Sequence, residues 1–293
     1  MSPRPQAPTI TQLLDDLAAE HETLDEVVAP LPPRQWRTPT PAAGWDIADS
    51  IGHLCFFDEA ATRALTDRQG FAAGRAAFMA GDGDLSPGAG GGAGGSFDAP
   101  VRRPDEALGR SLEPPRLLAR WRQARHALLA AASRADPAAR IPWYGPSMGL
   151  ASFLTARLTE TWAHGQDVMD ALGLPSSVSA RLRHVVHLGV AARPYAFAVH
   201  RASDPGGALR VEAQAPDGAT WTWGPPDAED VVRGRAVDLA LVVTQRRHPA
   251  DTSLEVVGAT ATAWLAVAQA FAGPAGPGRP PSAAVATTRG ARP

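Results

Sequence analysis

Apolar residues recur at helical spacing over four long segments in the first two thirds of the chain. The first segment begins at Thr9, which can form a capping box. The second begins at Asp46, a good N-cap residue, and the third begins at Pro114. The fourth contains residues 156–170 and ends at a Gly-x-Pro stop. Because apolar residues at this spacing fill one face of a helix, the segments predict four amphipathic helices.

The pattern changes from about residue 202, where apolar residues begin to alternate with polar ones. Residues 209–215 and 221–223 alternate on either side of Pro216-Asp217-Gly218, which predicts a β-hairpin. The remaining pattern predicts, in order, a strand at 231–232, a helix at 237–244, a strand at 254–257 and a helix at 261–271. This order is typical of a small α+β domain.

The predicted fold is therefore a two-domain α+β protein with an N-terminal four-helix bundle. The bundle domain is expected at residues 9–200. Within it, helical periodicity is lost from about residue 70 to about residue 98, and residues 81–98 of this stretch form a glycine-rich insertion. The small α+β domain is expected at 202–272. Residues 273–293 are rich in Gly, Pro and Ala and predict a disordered tail.

Composition excludes several classes of partner. The formal net charge is -2, the sequence contains no lysine, and its arginines are scattered, so no nucleic-acid partner is expected. The single Cys55 fits a reducing compartment. The N-terminal residues lack the apolar run of a signal peptide, and no window resembles a membrane span. We expect a cytoplasmic protein with a small-molecule substrate and no membrane partner, of open oligomeric state.

Candidate chemistry lies on the fourth predicted helix. Glu160, His164 and Asp167 follow one another at spacings of four and three residues, so they share one helix face. Such a pair of Glu and His is more often structural than metal-binding, so a third ligand is needed. His53, on the inward face of the second helix, can supply it.

Two imidazoles and one carboxylate are the ligand set of a catalytic zinc site with an open position. The same set also suits nickel or ferrous iron. Asp167 is predicted to orient a ligand histidine or to accept a proton from a bound substrate, not to bind the metal itself.

Other polar residues of the bundle have simpler interpretations. Cys55 lies about 200° around the helix from His53 and is expected to be a small buried hydrophobe. His21 is expected to be a core or rim histidine. The arginines of the third helix are expected to form its solvated side: Arg116, Arg120, Arg122 and Arg125.

Two stretches carry a resemblance to a known family. Gly44-Trp45-Asp46-Ile47-Ala48-Asp49-Ser50-Ile51-Gly52-His53-Leu54 and Glu160-Thr161-Trp162-Ala163-His164-Gly165-Gln166-Asp167-Val168 resemble the mycothiol-dependent maleylpyruvate isomerase family. That family belongs to the DinB-like four-helix metalloproteins. The resemblance implies metal ligands at His53, Glu160 and His164, with zinc as the usual metal, and a low-molecular-weight thiol that the metal binds and activates.

The resemblance also extends, more loosely, to the C-terminal domain. It implies a sterol-carrier-like fold that caps the site and supplies an arginine for the carboxylate of the substrate. The stretch Leu241–Arg247 matches the place of that arginine, so Arg246 and Arg247 are both candidates. The alternative is that the two arginines only cap the end of the preceding helix, where cations are favourable.

These inferences predict a metal-dependent thiol transferase or isomerase. It would use a mycothiol-type thiol and act on a small, electrophilic, carboxylate-bearing substrate. Two alternatives stay open: a hydrolase that uses metal-bound hydroxide, and a non-catalytic metal- and ligand-binding protein.

Overall fold

The computed structural model describes residues 8–80 and 106–282 of the 293-residue chain. The described residues form two compact units, one of residues 8–80 and 106–173 and one of residues 174–282. The predicted glycine-rich insertion at about 81–98 lies outside the described residues, as do residues 283–293 of the predicted tail. Within the described ranges, none of the helices has both the length and the apolar character needed to cross a bilayer.

The first unit is helical, as the periodicity predicts. Its described helices are α1 (Ile10–Val28), α2 (Ile47–Thr66), α3 (Arg68–Ala80), α4 (Glu106–Ser111), α5 (Pro114–Ala132) and α6 (Leu150–Leu172). A 3₁₀ helix (Pro33–Arg37) follows α1, and the strands β1 (Arg140–Ile141) and β2 (Met148–Gly149) pair antiparallel before α6. The four predicted helices are α1, α2, α5 and α6. Helix α2 packs against α5 and α6, while α1 packs against α6.

Local sequence explains where these helices begin and end. Thr9 and Gln12 form the predicted capping box of α1, and Asp46 forms a second box with Asp49 at the start of α2. Helix α6 ends at Gly173, which adopts a left-handed conformation with φ of 67°. These caps satisfy backbone groups at the helix ends and so fix the residue at which each helix begins or ends.

The core of the unit brings α2 close to its neighbours. Ile51, Leu54 and Trp121 are fully buried in it. Gly52 allows α4 to approach, because a Cβ atom at this position would lie 2.7 Å from the backbone nitrogen of Gly109. The residue after Gly52 is His53, so this tight crossing also holds the backbone of a candidate ligand.

Helix α3 differs from the prediction that periodicity is lost from about residue 70. Its first turn is held by Asp67, which accepts a hydrogen bond from the backbone of Gly70. Phe71 then stacks on Trp143, with ring centroids 5.9 Å apart. Arg75 donates to the carbonyl oxygen of Trp143. These contacts, which are distant in sequence, hold the helix against the rest of the unit.

Arg125 also differs from its prediction as part of a solvated face. Its side chain is only 3% exposed, and Nη2 lies 2.9 Å from Asp25 on α1. The guanidinium lies 4.9 Å from the Trp121 ring centroid. By contrast, the side chain of Arg122 is 45% exposed. The solvated face of α5 is therefore narrower than the spacing of its arginines indicates.

The second unit is a mixed α/β structure. Its elements are α7 (Leu182–Ala191), α8 (Arg193–Val199), β3 (Leu209–Gln214), β4 (Thr220–Trp223), β5 (Asp230–Arg235), α9 (Ala236–Val243), β6 (Glu255–Val257) and α10 (Ala259–Val267). The sheet order is β4-β3-β5-β6. Strands β3 and β4 form the predicted hairpin, with Val211 opposite Trp223, whereas β3 and β5 run parallel.

Helices α7 and α8 fall in this second unit, although the sequence places them with the bundle. Helix α7 packs against α9. The approach is close, because a Cβ atom at Gly189 would lie 2.6 Å from the side chain of Val243. The helical periodicity of α7 is the same whichever unit it packs on, so it could not assign the helix.

The predicted disordered tail begins with ordered residues. The backbone of Gly273 donates to the hydroxyl of Tyr195, and the backbone of Gly276 donates to Gln269. The backbone of Ser282 donates to the carboxylate of Asp251. The structure therefore differs from the prediction of disorder over residues 273–282.

Candidate metal centre

Three predicted ligands come together inside the helical unit. His53 lies on the buried face of α2, while Glu160 and His164 lie one turn apart on α6. The atoms that these side chains can offer to a metal all lie within 4.8 Å of one another. His53 Nε2 is 3.4 Å from Glu160 Oε2. We call these three residues the metal cluster.

The metal cluster fits a divalent metal by its chemistry. Two imidazoles and one carboxylate leave an open position on a four-coordinate metal for water or a substrate. His53 and His164 are 7% and 3% exposed, and a set of buried donors needs a partner for its electron pairs. Metal binding by the cluster stays a prediction.

Aromatic rings fix the two imidazoles. Trp45 stacks on His164, with centroids 5.5 Å apart and planes at 12°. The same indole lies 5.1 Å from the ring of His53, and Phe57 lies 4.6 Å from His53 on its own helix. These contacts restrict ring rotation, so both imidazoles are held in place before any metal binds.

The aromatic turn before α6, which contains Trp143 and Tyr144, adds to these ring contacts. Tyr144 lies 5.4 Å from Phe57, and Trp143 lies 5.9 Å from it, measured between ring centroids. Phe57 in turn contacts His53. The turn therefore packs behind a ligand and surrounds it with apolar surface.

The protonation states of the cluster suit metal binding. Burial, together with the neighbouring His164, lowers the pKa of His53 to about 4. Burial opposes ionisation of Glu160, but the hydrogen bond with His53 and the charge of Arg157 outweigh it and lower that pKa to about 2. At neutral pH the cluster therefore offers a neutral imidazole and a charged carboxylate, which are the forms that bind metals.

Asp167 lies beside the cluster, on the far side of His164. Its Oδ2 atom is 3.5 Å from His164 Nδ1, and its side chain is fully buried. A carboxylate in this position would favour the tautomer with the proton on Nδ1 and the lone pair on Nε2. The geometry is that expected of an orienting residue, and its role in activity stays a prediction.

Arg157 contacts the cluster and Asp58 contacts Arg157, and neither was predicted from the sequence. Arg157 is 2% exposed, and its Nη1 lies 3.2 Å from Glu160 Oε2. Its Nη2 lies 2.9 Å from Asp58 Oδ1 on α2. Arg157 precedes Glu160 by three residues and so shares its helix face. This spacing was the feature of the sequence from which its contact with Glu160 could have been predicted.

Comparison with known proteins decides the family. The sequence model described as the mycothiol maleylpyruvate isomerase N-terminal domain matches residues 17–169. This match covers more than half of the chain and includes the whole metal cluster. The chain belongs to this family.

Relatives in the family extend over nearly the full length. Two uncharacterized proteins of Mycobacterium tuberculosis, one from strain CDC 1551 / Oshkosh and one from a second strain, are each 43% identical to this chain over 266 residues. Each alignment covers 90% of this chain and 96% of the relative. The similarity therefore includes both units.

Solved structures of the family share the fold. The crystal structure of the mycothiol-dependent maleylpyruvate isomerase matches with a TM-score of 0.52 at 15% identity, over 85% of this chain and 93% of that chain. A point mutant of that isomerase gives the same TM-score at 14% identity, over 82% and 90%. The predicted α+β fold, with a helical N-terminal region and a sheet-containing C-terminal region, is confirmed.

The two arginines that the family resemblance singles out lie in the second unit, after α9. Arg246 is 3% exposed, and its Nη1 donates to the carbonyl oxygen of Thr244. Arg247 is half-buried, and it lines a cavity of about 390 Å³ within the second unit. Both backbone N–H groups donate to the carbonyl oxygen of Leu241, so both residues help to end α9. Of the two, Arg247 has the side chain that a ligand in this cavity could reach.

Proposed function

We propose that this family member is a metal-dependent enzyme that uses a mycothiol-type thiol for thiol transfer or isomerisation of a small electrophilic substrate. The observation that carries the proposal is the metal cluster, whose three side chains place two imidazoles and a carboxylate within 4.8 Å of one another. Two imidazoles and one carboxylate are the ligands of open, catalytic zinc sites.

His53, Glu160 and His164 would hold the metal, with zinc as the first choice and nickel or ferrous iron as alternatives. A divalent metal there would supply Lewis acidity, which lowers the pKa of a coordinated thiol. Trp45 and Phe57 would exclude water from the faces of the imidazoles. Asp167 would keep a proton on His164 Nδ1, so that Nε2 remains a lone-pair donor.

The thiol and the reaction class come from the family. One solved structure that shares this fold is that of a mycothiol-dependent maleylpyruvate isomerase, which supports a thiol cofactor and an electrophilic carboxylate as substrate class. The cavity beside Arg247 supports this arginine over Arg246 as the group that binds the substrate carboxylate. A guanidinium suits that task because it binds a carboxylate with two parallel hydrogen bonds.

Metal analysis and thiol titration test the proposal. Purified wild-type protein should contain one divalent metal per chain, and the cobalt-substituted form should change its absorption spectrum when mycothiol is added. Mycothiol should also support turnover of maleylpyruvate or a related acid. A protein that neither contains nor takes up metal contradicts the proposal. Bound metal with no response to thiols would favour the non-catalytic binding alternative.

Arginine-to-lysine variants test the substrate contact. Arg247→Lys keeps the charge and loses the two-pronged geometry, so kcat/KM should fall about 10-fold or more while the metal stays bound. Arg246→Lys should change kcat/KM less, because its buried guanidinium bonds the backbone of Thr244. Equal kinetics for wild type and Arg247→Lys would contradict the assignment, and equal kinetics for Arg246→Lys as well would leave both arginines as helix caps.

A further inference from the structure

A buried arginine links the carboxylate of the metal cluster to the centre of the bundle. Arg157 is 2% exposed and points three nitrogen atoms at two carboxylates. Its Nε and Nη2 lie 3.3 and 2.9 Å from Asp58 Oδ1. Its Nη1 lies 3.2 Å from Glu160 Oε2. One rigid guanidinium therefore holds two carboxylates at once.

Asp58 is itself fixed on its other side. Its Oδ2 atom accepts a hydrogen bond from Trp121 Nε1 at 3.2 Å, and His21 Nε2 lies 3.7 Å away. Both Asp58 and Trp121 are fully buried, and His21 is 1% exposed. The connection draws one residue from each of the four long helices: His21 from α1, Asp58 from α2, Trp121 from α5 and Arg157 from α6. We call these four residues the support network.

The support network has a consequence for Glu160. A glutamate side chain has three rotatable bonds, and that of Glu160 is 19% exposed, so burial alone does not select one rotamer. Together with the contact to His53 Nε2 at 3.4 Å, the hydrogen bond from Arg157 does select one. Arg157 cannot move away without leaving the buried charge of Asp58 with no countercharge, which is strongly unfavourable.

We propose that Arg157 is a positioning residue for the metal: it holds Glu160 in the binding rotamer, and Asp58 holds Arg157. This inference rests on the proposed metal site. The cationic charge of Arg157 would oppose a bound cation, but the carboxylate of Asp58 at 2.9 Å offsets that charge. Positioning is therefore the dominant effect, and loss of Arg157 weakens metal binding.

Lysine at position 157 separates geometry from charge. Arg157→Lys keeps one positive charge, but a single ammonium group cannot reproduce the fork that holds both carboxylates. Zinc affinity, measured by competition with a chelator, should fall about 10- to 100-fold, as is usual when a supporting hydrogen bond to a ligand is lost. The absorption spectrum of the cobalt-substituted variant should differ from that of wild type, because the carboxylate ligand is no longer fixed.

A matched control lies in the same unit. Arg125 is also buried, at 3% exposed, and it is paired with Asp25 at 2.9 Å and Glu22 at 3.0 Å. Arg125→Lys disturbs a buried arginine away from the metal cluster. It should lower the thermal stability of the metal-free protein and leave zinc affinity and the cobalt spectrum unchanged. If Arg157 had only a structural role, Arg157→Lys would behave like this control: thermal stability would fall, and zinc affinity and the cobalt spectrum would not change.

A second variant guards against a failure to fold. The Asp58→Asn/Arg157→Gln double variant removes both charges, so position 58 does not keep a buried carboxylate without a countercharge. It should lower zinc affinity in the same range. If the double variant or Arg157→Lys binds zinc within about 2-fold of wild type with an unchanged cobalt spectrum, the positioning role is wrong. If wild type and His164→Ala bind zinc equally, the metal site itself is wrong, which is a separate result.

Discussion

Two polar clusters lie in the same helical unit and differ in how their charges are balanced. The metal cluster contains His53, Glu160 and His164. The second, which we call the arginine cluster, contains Asp25, Arg122 and Arg125. In the arginine cluster, Asp25 contacts both guanidinium groups at 2.6–2.9 Å, so its negative charge is fully compensated within the protein.

The metal cluster gathers electron-pair donors instead. With the pKa of His53 at about 4 and that of Glu160 at about 2, the imidazole is neutral and the carboxylate is charged at neutral pH. Arg157 pairs with the carboxylate of Glu160. The comparison teaches that burial of polar groups does not by itself mark a candidate site. What distinguishes the metal cluster is that three groups able to donate electron pairs converge within 4.8 Å of one another.

Removal of a metal-cluster histidine should give the largest effect. His164→Ala deletes one of three donors, so zinc affinity should fall by more than about 100-fold, beyond the range of supporting residues. Chelator competition on the purified protein measures this. Asp25→Asn, which breaks the arginine cluster, is the matched control and should bind zinc like wild type. If His164→Ala and wild type bound zinc with similar affinity, the metal cluster would not differ from the arginine cluster in binding metal.

Asp167→Asn should have a smaller effect on the same cluster. The amide keeps the shape of the side chain but loses the charge that stabilises a proton on His164 Nδ1. Zinc affinity should fall about 10-fold, and any activity should fall with it while metal is still bound at saturation. A loss as large as that of His164→Ala would instead make Asp167 a metal ligand.

Sequence patterns predicted the metal cluster because its geometry is local to two helix faces. Glu160 and His164 are one turn apart, and the apolar stripe of α2 turns His53 inward. Arg157 lies on the same face of α6 as Glu160, yet it was missed. An arginine at a helix surface is usually solvated, and its burial here depends on Asp58, a residue of another helix.

The exposure of Arg125 was predicted wrongly for a related reason. Arg122 and Arg125 are three residues apart on α5, and both fit a solvated face. The rotation of α5 against α1 decides that Arg125 is buried while Arg122 stays half-exposed. This rotation is set by packing between helices, which no local pattern encodes. The same limit applies to α3, whose helix depends on the contact between Phe71 and Trp143.

Neutralisation of Asp25 should test the charge balance of the arginine cluster. Burial alone would raise the pKa of Asp25, but the hydrogen bond from Arg122 and the charge of Arg125 outweigh it and lower the pKa below 3.8. Asp25→Asn should lower the free energy of unfolding by about 2 kcal/mol at neutral pH, less than for a fully buried pair because Arg122 is half-exposed.

The effect of Asp25→Asn on the free energy of unfolding should depend on pH. A carboxylate with a lowered pKa in the folded state stabilises the protein above the unfolded pKa, and this contribution is lost as the pH falls through the folded pKa. The difference between wild type and Asp25→Asn should therefore shrink below about pH 4, measured by urea unfolding at several pH values. A difference that does not change with pH would show that the charge of Asp25 is not what stabilises the cluster.

Arg122→Gln should give the smallest effect of the series. Arg122 makes two short hydrogen bonds to Asp25, but its side chain is 45% exposed. Exposed ion pairs contribute little because water and salt screen them, and because the long side chain loses freedom when it is held. The free energy of unfolding should fall by no more than about 1 kcal/mol, and the loss should diminish in high salt. Asp25 keeps Arg125 as a partner, so the cluster stays balanced. If Arg122→Gln instead destabilises the protein as strongly as Asp25→Asn, the half-exposed arginine and not the buried one holds the cluster together.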